Sequence, residues 1–293
     1  MRPFIMLLVL AGLVSCGDKP TPDSPVGTSG NTVLCTFYPT EYFAQRIAGD
    51  LLEVSCPLPQ DEDPSFWRPD AASLQQFQAA DLIIINGAGF EKWLATASLP
   101  ESRIVDTAKS FEQDFIRYES KITHRHGKDG EEHSHSGIDG HTWLDPVTAK
   151  VQAAAIHQAF AKKWPEHAAA FETNFKSLVA DLDSLDSALK TLPPDRPLLA
   201  SHPAYGYLAR RYGWKVTNVD LDPRSMPRRE SIPADHPAKI ILWESEPNEK
   251  GVAILERDRG ITSVVFSPAK QRSQQDYIET MRANISRLAA ALE

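Results

Sequence analysis

The chain has 293 residues, enough for one large domain or two lobes with separate cores. It is 42% hydrophobic and 24% charged, a soluble globular composition, and its net charge of −8 gives a nucleic-acid partner little electrostatic support. The acidic excess suits a protein that handles cations, although many soluble proteins share it.

The first residues, MRPFIMLLVLAGLVSCGDKP, read as a targeting segment. Arg2 supplies the positive start, and the apolar run Phe4 to Val14 is shorter than the about 20 residues that span a bilayer. Leu13-Val14-Ser15-Cys16 resembles a bacterial lipobox, which predicts a signal peptide over 1–15 and a lipid on Cys16. An ordinary secretory signal with an incidental cysteine is the alternative. Residues 16–30, rich in Pro, Gly and Ser, then form a flexible tether. Export implies an oxidising compartment, so Cys35 and Cys56 are expected either to pair or to stay as buried free thiols.

In chain order the pattern predicts a strand over Val33–Phe37, a helix over Thr40–Ala48 ended by Gly49, and a strand over Val54–Leu58. A helix over Ala71–Ala80 starts near Asp70, a buried strand covers Asp81–Asn86, and Phe90–Ala97 is helical. A His-rich loop, 124–140, follows; HRHGKDGEEHSHSGIDGHTWLDP, residues 124–146, holds five of the nine histidines. Asp145-Pro146 opens a helix to Lys163, and Pro165–Leu192 is one long helix with apolar residues at helical spacing, stopped by Pro193-Pro194. The second alternating stretch has strands at Pro197–Ala200, Lys215–Val219, Ala238–Trp243 and Thr262–Phe266, with helices at Tyr205–Tyr212, Glu249–Arg257 and Gln275–Leu292. Strands alternating with helices predict parallel sheets. The fold class is α/β, with two lobes (31–163 and 194–293), each a parallel sheet flanked by helices, joined by a helix over 164–193.

Four stretches then carry a resemblance: DPSFWRPDAASLQQFQAADLIIINGAGFEKWL (63–94), GHTWLDP (140–146), SHPAYGYLARRYG (201–213) and YIETMRANISRLAAAL (277–292). In this order, from about Val33 to the C-terminus, the chain resembles the substrate-binding receptors of bacterial zinc and manganese ABC importers. The resemblance implies a rigid linking helix and a metal cleft between the lobes, at the carboxyl ends of strands, where open α/β sheets bind ligands. It implies His141 and His202 as ligands. Histidine at 202 resembles zinc members, so Zn²⁺ is the expected ion and Mn²⁺ the second choice, since imidazole suits zinc.

Two positions depart from the family pattern. Ser65 stands where a ligand histidine follows Asp-Pro, and Phe266-Ser267-Pro268 carries no carboxylate where the family often has an Asp. Two imidazoles alone fall short of the three or four donors that zinc sites use. A carboxylate from Asp61-Glu62-Asp63, with Glu62 the candidate, is one repair. Glu244 or Glu246 at the end of a strand is another, and a loop histidine a third; loss of tight metal binding is the remaining reading. The resemblance makes His124, His126, His133 and His135 an accessory loop site, and Asp145 is expected to start a helix and to orient His141. Trp67, Trp143 and Trp243 read as packing residues, with Trp67 and Arg68 placed where the first loop should line the cleft.

The function so implied is a lipid-anchored monomeric receptor with no catalytic residue, facing the periplasm or cell exterior. It captures zinc by coordination and hands it to a membrane permease and its ATPase. A relative with an altered site that acts as an adhesin or binds another ligand is the alternative. An exported zinc hydrolase is disfavoured, because the chain has neither His-Glu-x-x-His nor a nucleophile elbow.

Overall fold

The computed structural model describes residues 30–60, 62–125, 132–219, 221–227, 232–233 and 235–293, with the backbone alone over 119–125 and 132–136. The signal peptide, Cys16 and His126 lie outside the described residues. The first lobe contains β1 (Thr32–Cys35), α1 (Tyr38–Ala48), β2 (Glu53–Ser55), α2 (Ala71–Ala79), β3 (Leu82–Ile85) and β4 (Ile104–Asp106). Its sheet is parallel throughout, in the order β2-β1-β3-β4. All four residues of β3 are buried, as a parallel strand covered on both faces requires. Asp70 caps α2 by accepting the Ser73 N–H. Strand β4 was not anticipated, and the helix expected over Phe90–Ala97 is a 3-10 turn over Lys92–Thr96.

The His-rich segment is not a loop throughout. β5 (Arg117–Arg125) and β6 (Glu132–Ile138) form an antiparallel ribbon, with His124 opposite His133 and Ile122 opposite His135. α3 (Pro146–Lys163) follows, and after a 3-10 turn at Pro165–His167 comes α4 (Ala168–Lys190). At 23 residues α4 is about 34 Å long.

The second lobe contains β7 (Pro197–Ala200), α5 (Gly206–Tyr212), β8 (Lys215–Asn218), β9 (Ile240–Trp243), α6 (Glu249–Arg259), β10 (Thr262–Val265) and α7 (Tyr277–Leu292). Its parallel sheet runs β10-β9-β7-β8, so both lobes have the same order: the first strand lies between the second and third. Each sheet therefore has its switch point between its first and third strands, where their carboxyl ends open a crevice.

α4 packs against α1 and α3 on one side and α7 on the other. Phe171, Leu178, Leu182, Leu185 and Leu189 form its buried stripe. One hydrophobic cluster runs from Val33 and Ile84 through this stripe to Leu242 and Phe266, so the two sheets share a core through α4. Cys35 ends β1 and Cys56 follows β2, and the register Leu34↔Ser55 brings the strand ends side by side. Of the two readings left open by the sequence, the structure holds the free thiols. Burial pushes the Cys35 thiol well up and that of Cys56 up to about 12.

Candidate metal centre

The first lobe delivers His141 on a segment tied to the end of β3. Asn86, just past β3, donates from Nδ2 to the Gly140 carbonyl (2.9 Å) and accepts at Oδ1 from the Thr142 hydroxyl (3.1 Å) and from Gln152 Nε2 (2.9 Å). Glu91 braces the same strand ends: its carboxylate accepts from the Thr36 hydroxyl (2.6 Å) and the Asn86 N–H (2.6 Å). Burial pushes the Glu91 carboxyl up to about 6, against the opposing pull of these donors.

Asp139 then fixes the His141 ring. Its Oδ1 lies 2.8 Å from His141 Nδ1 and accepts the His141 backbone N–H at 3.0 Å. A carboxylate at Nδ1 holds the proton there and leaves the Nε2 lone pair as the donor to a metal. This corrects the role expected of Asp145. Asp145 does cap α3, accepting the Val147 N–H, but its two oxygens take the Arg211 guanidinium (2.6 and 2.5 Å).

The second lobe delivers His202 from the end of β7. The Ser201 N–H donates to the Leu242 carbonyl at 2.9 Å, prolonging the β7–β9 ladder by one hydrogen bond beyond the register Ala200↔Leu242. His141 and His202 are 6% and 5% exposed, and their ring centres are 5.5 Å apart at 84°. Two imidazoles on one tetrahedral zinc, bonded at about 2.0–2.1 Å, hold their ring centres roughly 5 Å apart, so the pair fits a shared ion.

The seam around the pair is hydrogen-bonded across the lobes. Tyr207 donates to the Asp139 carbonyl (2.9 Å), Tyr118 to the Pro203 carbonyl (2.6 Å) and Trp143 Nε1 to the Pro268 carbonyl (2.7 Å). Position 206 is glycine because a Cβ there would sit 2.7 Å from Asp139 Oδ2. Trp143 and Trp243 are core residues, and Trp67 packs against Phe77 and Trp93.

The other expected donors are disposed differently. Ser65 donates from its hydroxyl and its N–H to Asp63 Oδ1, and Pro268 contributes the carbonyl just described. Glu62 is exposed and offers its carbonyl to Gln271; the carboxylate of that acidic run that reaches the second lobe is Asp63. Glu244 is buried and faces Lys270, whose ammonium lies 2.9 Å from Asp63 and 3.5 Å from Glu244. Among the described residues no group of three or more His, Cys, Asp or Glu is assembled to hold a metal. His124, His133 and His135 are placed by backbone register alone. Sequence reasoning missed Asp139 and Lys270. For Asp139 the signal is Asp-Gly-His, in which an Asx turn folds the carboxylate onto the residue two places on; for Lys270, in Ala-Lys-Gln, no signal is local.

Residues 33–291 match the family described as zinc-uptake complex component A, periplasmic. The high-affinity zinc uptake system protein ZnuA of Bacillus subtilis is 26% identical over 99% of this chain and 96% of its own. Among solved structures, the metal-dependent lipoprotein YcdH of B. subtilis superposes with a TM-score of 0.75 at 25% identity, covering 89% of this chain and 98% of that one. The Zn(II)-bound ZnuA-like domain of AdcA from Streptococcus pneumoniae has the same fold, with a TM-score of 0.75 at 21% identity over 90% of this chain and 99% of that one.

Proposed function

The chain belongs to the family of zinc-uptake complex component A, and from that membership we propose that it captures Zn²⁺ outside the cytoplasm and delivers it to the permease and ATPase of an ABC importer. The observation that carries the site is the pair His141 and His202, one from each lobe, with ring centres 5.5 Å apart. No bond is made or broken: the chemistry is coordination by neutral imidazole. Asp139 keeps His141 in the tautomer whose Nε2 accepts a metal, and α4 holds the two sheets so that their switch points face the same cleft. Lipidation of Cys16 would tether the receptor to the membrane through residues 16–30. His124, His126, His133 and His135 serve as an accessory collecting site.

The test is metal content and zinc titration of the chain without residues 1–16, beside a variant deleting 124–135 and a His202→Ala variant. One tight zinc that survives the deletion and is lost with His202 is the expected result. Tight binding that disappears with the deletion and survives His202→Ala would move the site to the His-rich ribbon. Absence of tight zinc in all three would overturn the receptor reading.

A further inference from the structure

Lys270, Gln271 and Arg272 stand in succession after β10, and each reaches the first lobe. Lys270 meets Asp63 at 2.9 Å, Gln271 Nε2 donates to the Glu62 carbonyl at 2.8 Å, and Arg272 pairs with the buried Glu41 of α1. Lys270 differs from the other two in also facing a second carboxylate, Glu244, at 3.5 Å. Asp63 comes from the segment between β2 and α2, and Glu244 directly follows β9, the strand that pairs with β7, past whose end His202 stands. The ammonium thus bridges one carboxylate from each lobe. The side chains of Lys270, Asp63 and Glu244 are 22%, 25% and 8% exposed, so water screens the bridge only in part.

The three groups are matched. Burial alone would raise the Asp63 carboxyl, but the Lys270 charge and the Ser65 hydrogen bonds outweigh it and hold the group well below the usual carboxylate range. Burial alone would lower Lys270, and Glu244 and Asp63 together raise it instead. Asp63 and Glu244 are also the kind of donor that the His141–His202 pair lacks, since a zinc site takes three or four ligands and carboxylate oxygen is among them.

We propose that Lys270 is a tethered cation that stands in for the divalent cargo: in the receptor without zinc it bridges Asp63 and Glu244, and zinc completes its coordination sphere by displacing it from them. This rests on the zinc-capture reading. It exchanges one cation for another, so a positive charge stands between the two carboxylates with and without metal. It also lowers the affinity by the cost of breaking the bridge, and it supplies the counter-ion that refills the site when zinc is handed on.

The experiment titrates zinc against a chromophoric chelator for the chain without residues 1–16, as wild type, Lys270→Met, Asp63→Asn and the double variant, and records thermal melting of each without metal. Lys270→Gln serves alongside in case the methionine variant does not fold. A partly screened ion pair contributes little net stability, so removal of Lys270 should tighten zinc binding about two- to fivefold. That gain should vanish in the Asp63→Asn background, and the metal-free lysine variant should melt below wild type, because Asp63 loses its ion pair with the second lobe. Wild-type binding with no gain on removing Lys270 overturns the inference and leaves the receptor reading standing. A gain of equal size with Asp63→Asn overturns it as well, since that is the loss of a nearby positive charge and nothing more. Absence of zinc binding in every variant overturns both.

Discussion

Asp139→Asn is the sharpest probe of how the cleft prepares its histidine. Asparagine has the same shape, so the contacts with Gly206 and the carbonyl that receives Tyr207 are retained. What changes is the 2.8 Å contact to His141 Nδ1, the charge behind it, and the interaction of that carboxylate with the Tyr118 hydroxyl. A neutral amide no longer enforces the Nδ1–H tautomer, and its NH₂ group can present a donor to the ring instead. Removing the hydrogen-bond partner of a ligating histidine costs about 10- to 100-fold in metal affinity, roughly 1.4–2.7 kcal/mol. Calorimetric zinc titration should show that weakening, with metal-free melting changed by only a few degrees, since no packed volume is lost. Zinc affinity within twofold of wild type would refute the argument: either Asp139 does not set the ring or His141 does not ligate. A collapse of the melting temperature would show the carboxylate to be structural.

Asp145→Ala should behave in the opposite way. It removes the α3 cap and the pairing with Arg211, a loss of about 2 kcal/mol in urea unfolding, while zinc affinity stays within threefold; a large loss of zinc affinity would restore the orienting role to Asp145. Glu91 makes stability depend on pH. Its folded pKa, about 6, lies above the ordinary value of 4.5, so the native state takes up the proton first. Its contribution is therefore most favourable below about pH 4.5 and is lost as pH rises through 6. Wild type should gain about 2 kcal/mol over Glu91→Gln between pH 7 and pH 4.5, and unfolding curves that run parallel across that range would refute this.

The elements legible in the sequence were those whose signal is local. LIII of β3 and IILW of β9 are runs that only a covered parallel strand explains, and the Asp70 and Asp145 caps marked where α2 and α3 start. Strand β4 is only three residues, IVD, and owes its existence to its pairing with β3, which no window on the chain contains. The ribbon β5–β6 escaped for a related reason: polar and histidine-rich residues carry no apolar alternation, so composition argued for a loop. In the site, the motifs around His141 and His202 singled out two rings that the fold brings to 5.5 Å. Lys270 was invisible because its partners lie 207 and 26 residues away.

The separation of donors into two kinds bears on which ions such a cleft can take. The imidazoles are held ready: Asp139 orients one, and the β7–β9 ladder positions the other. The carboxylates are engaged by Lys270. On the displacement scheme an incoming ion must first gain enough from the two nitrogens to break the bridge, and only then collects the oxygens. Zinc gains strongly from imidazole, whereas Mg²⁺, Ca²⁺ and Mn²⁺ prefer oxygen and gain less from the first step. Breaking the bridge costs the same for every ion that takes both carboxylates, because affinity depends on the end states and not on the order in which ligands are collected. Removing Lys270 should then raise zinc and manganese affinity by the same factor and leave the choice between them to the imidazole pair. A rise for one ion alone would mean that the other binds without taking the carboxylates from Lys270.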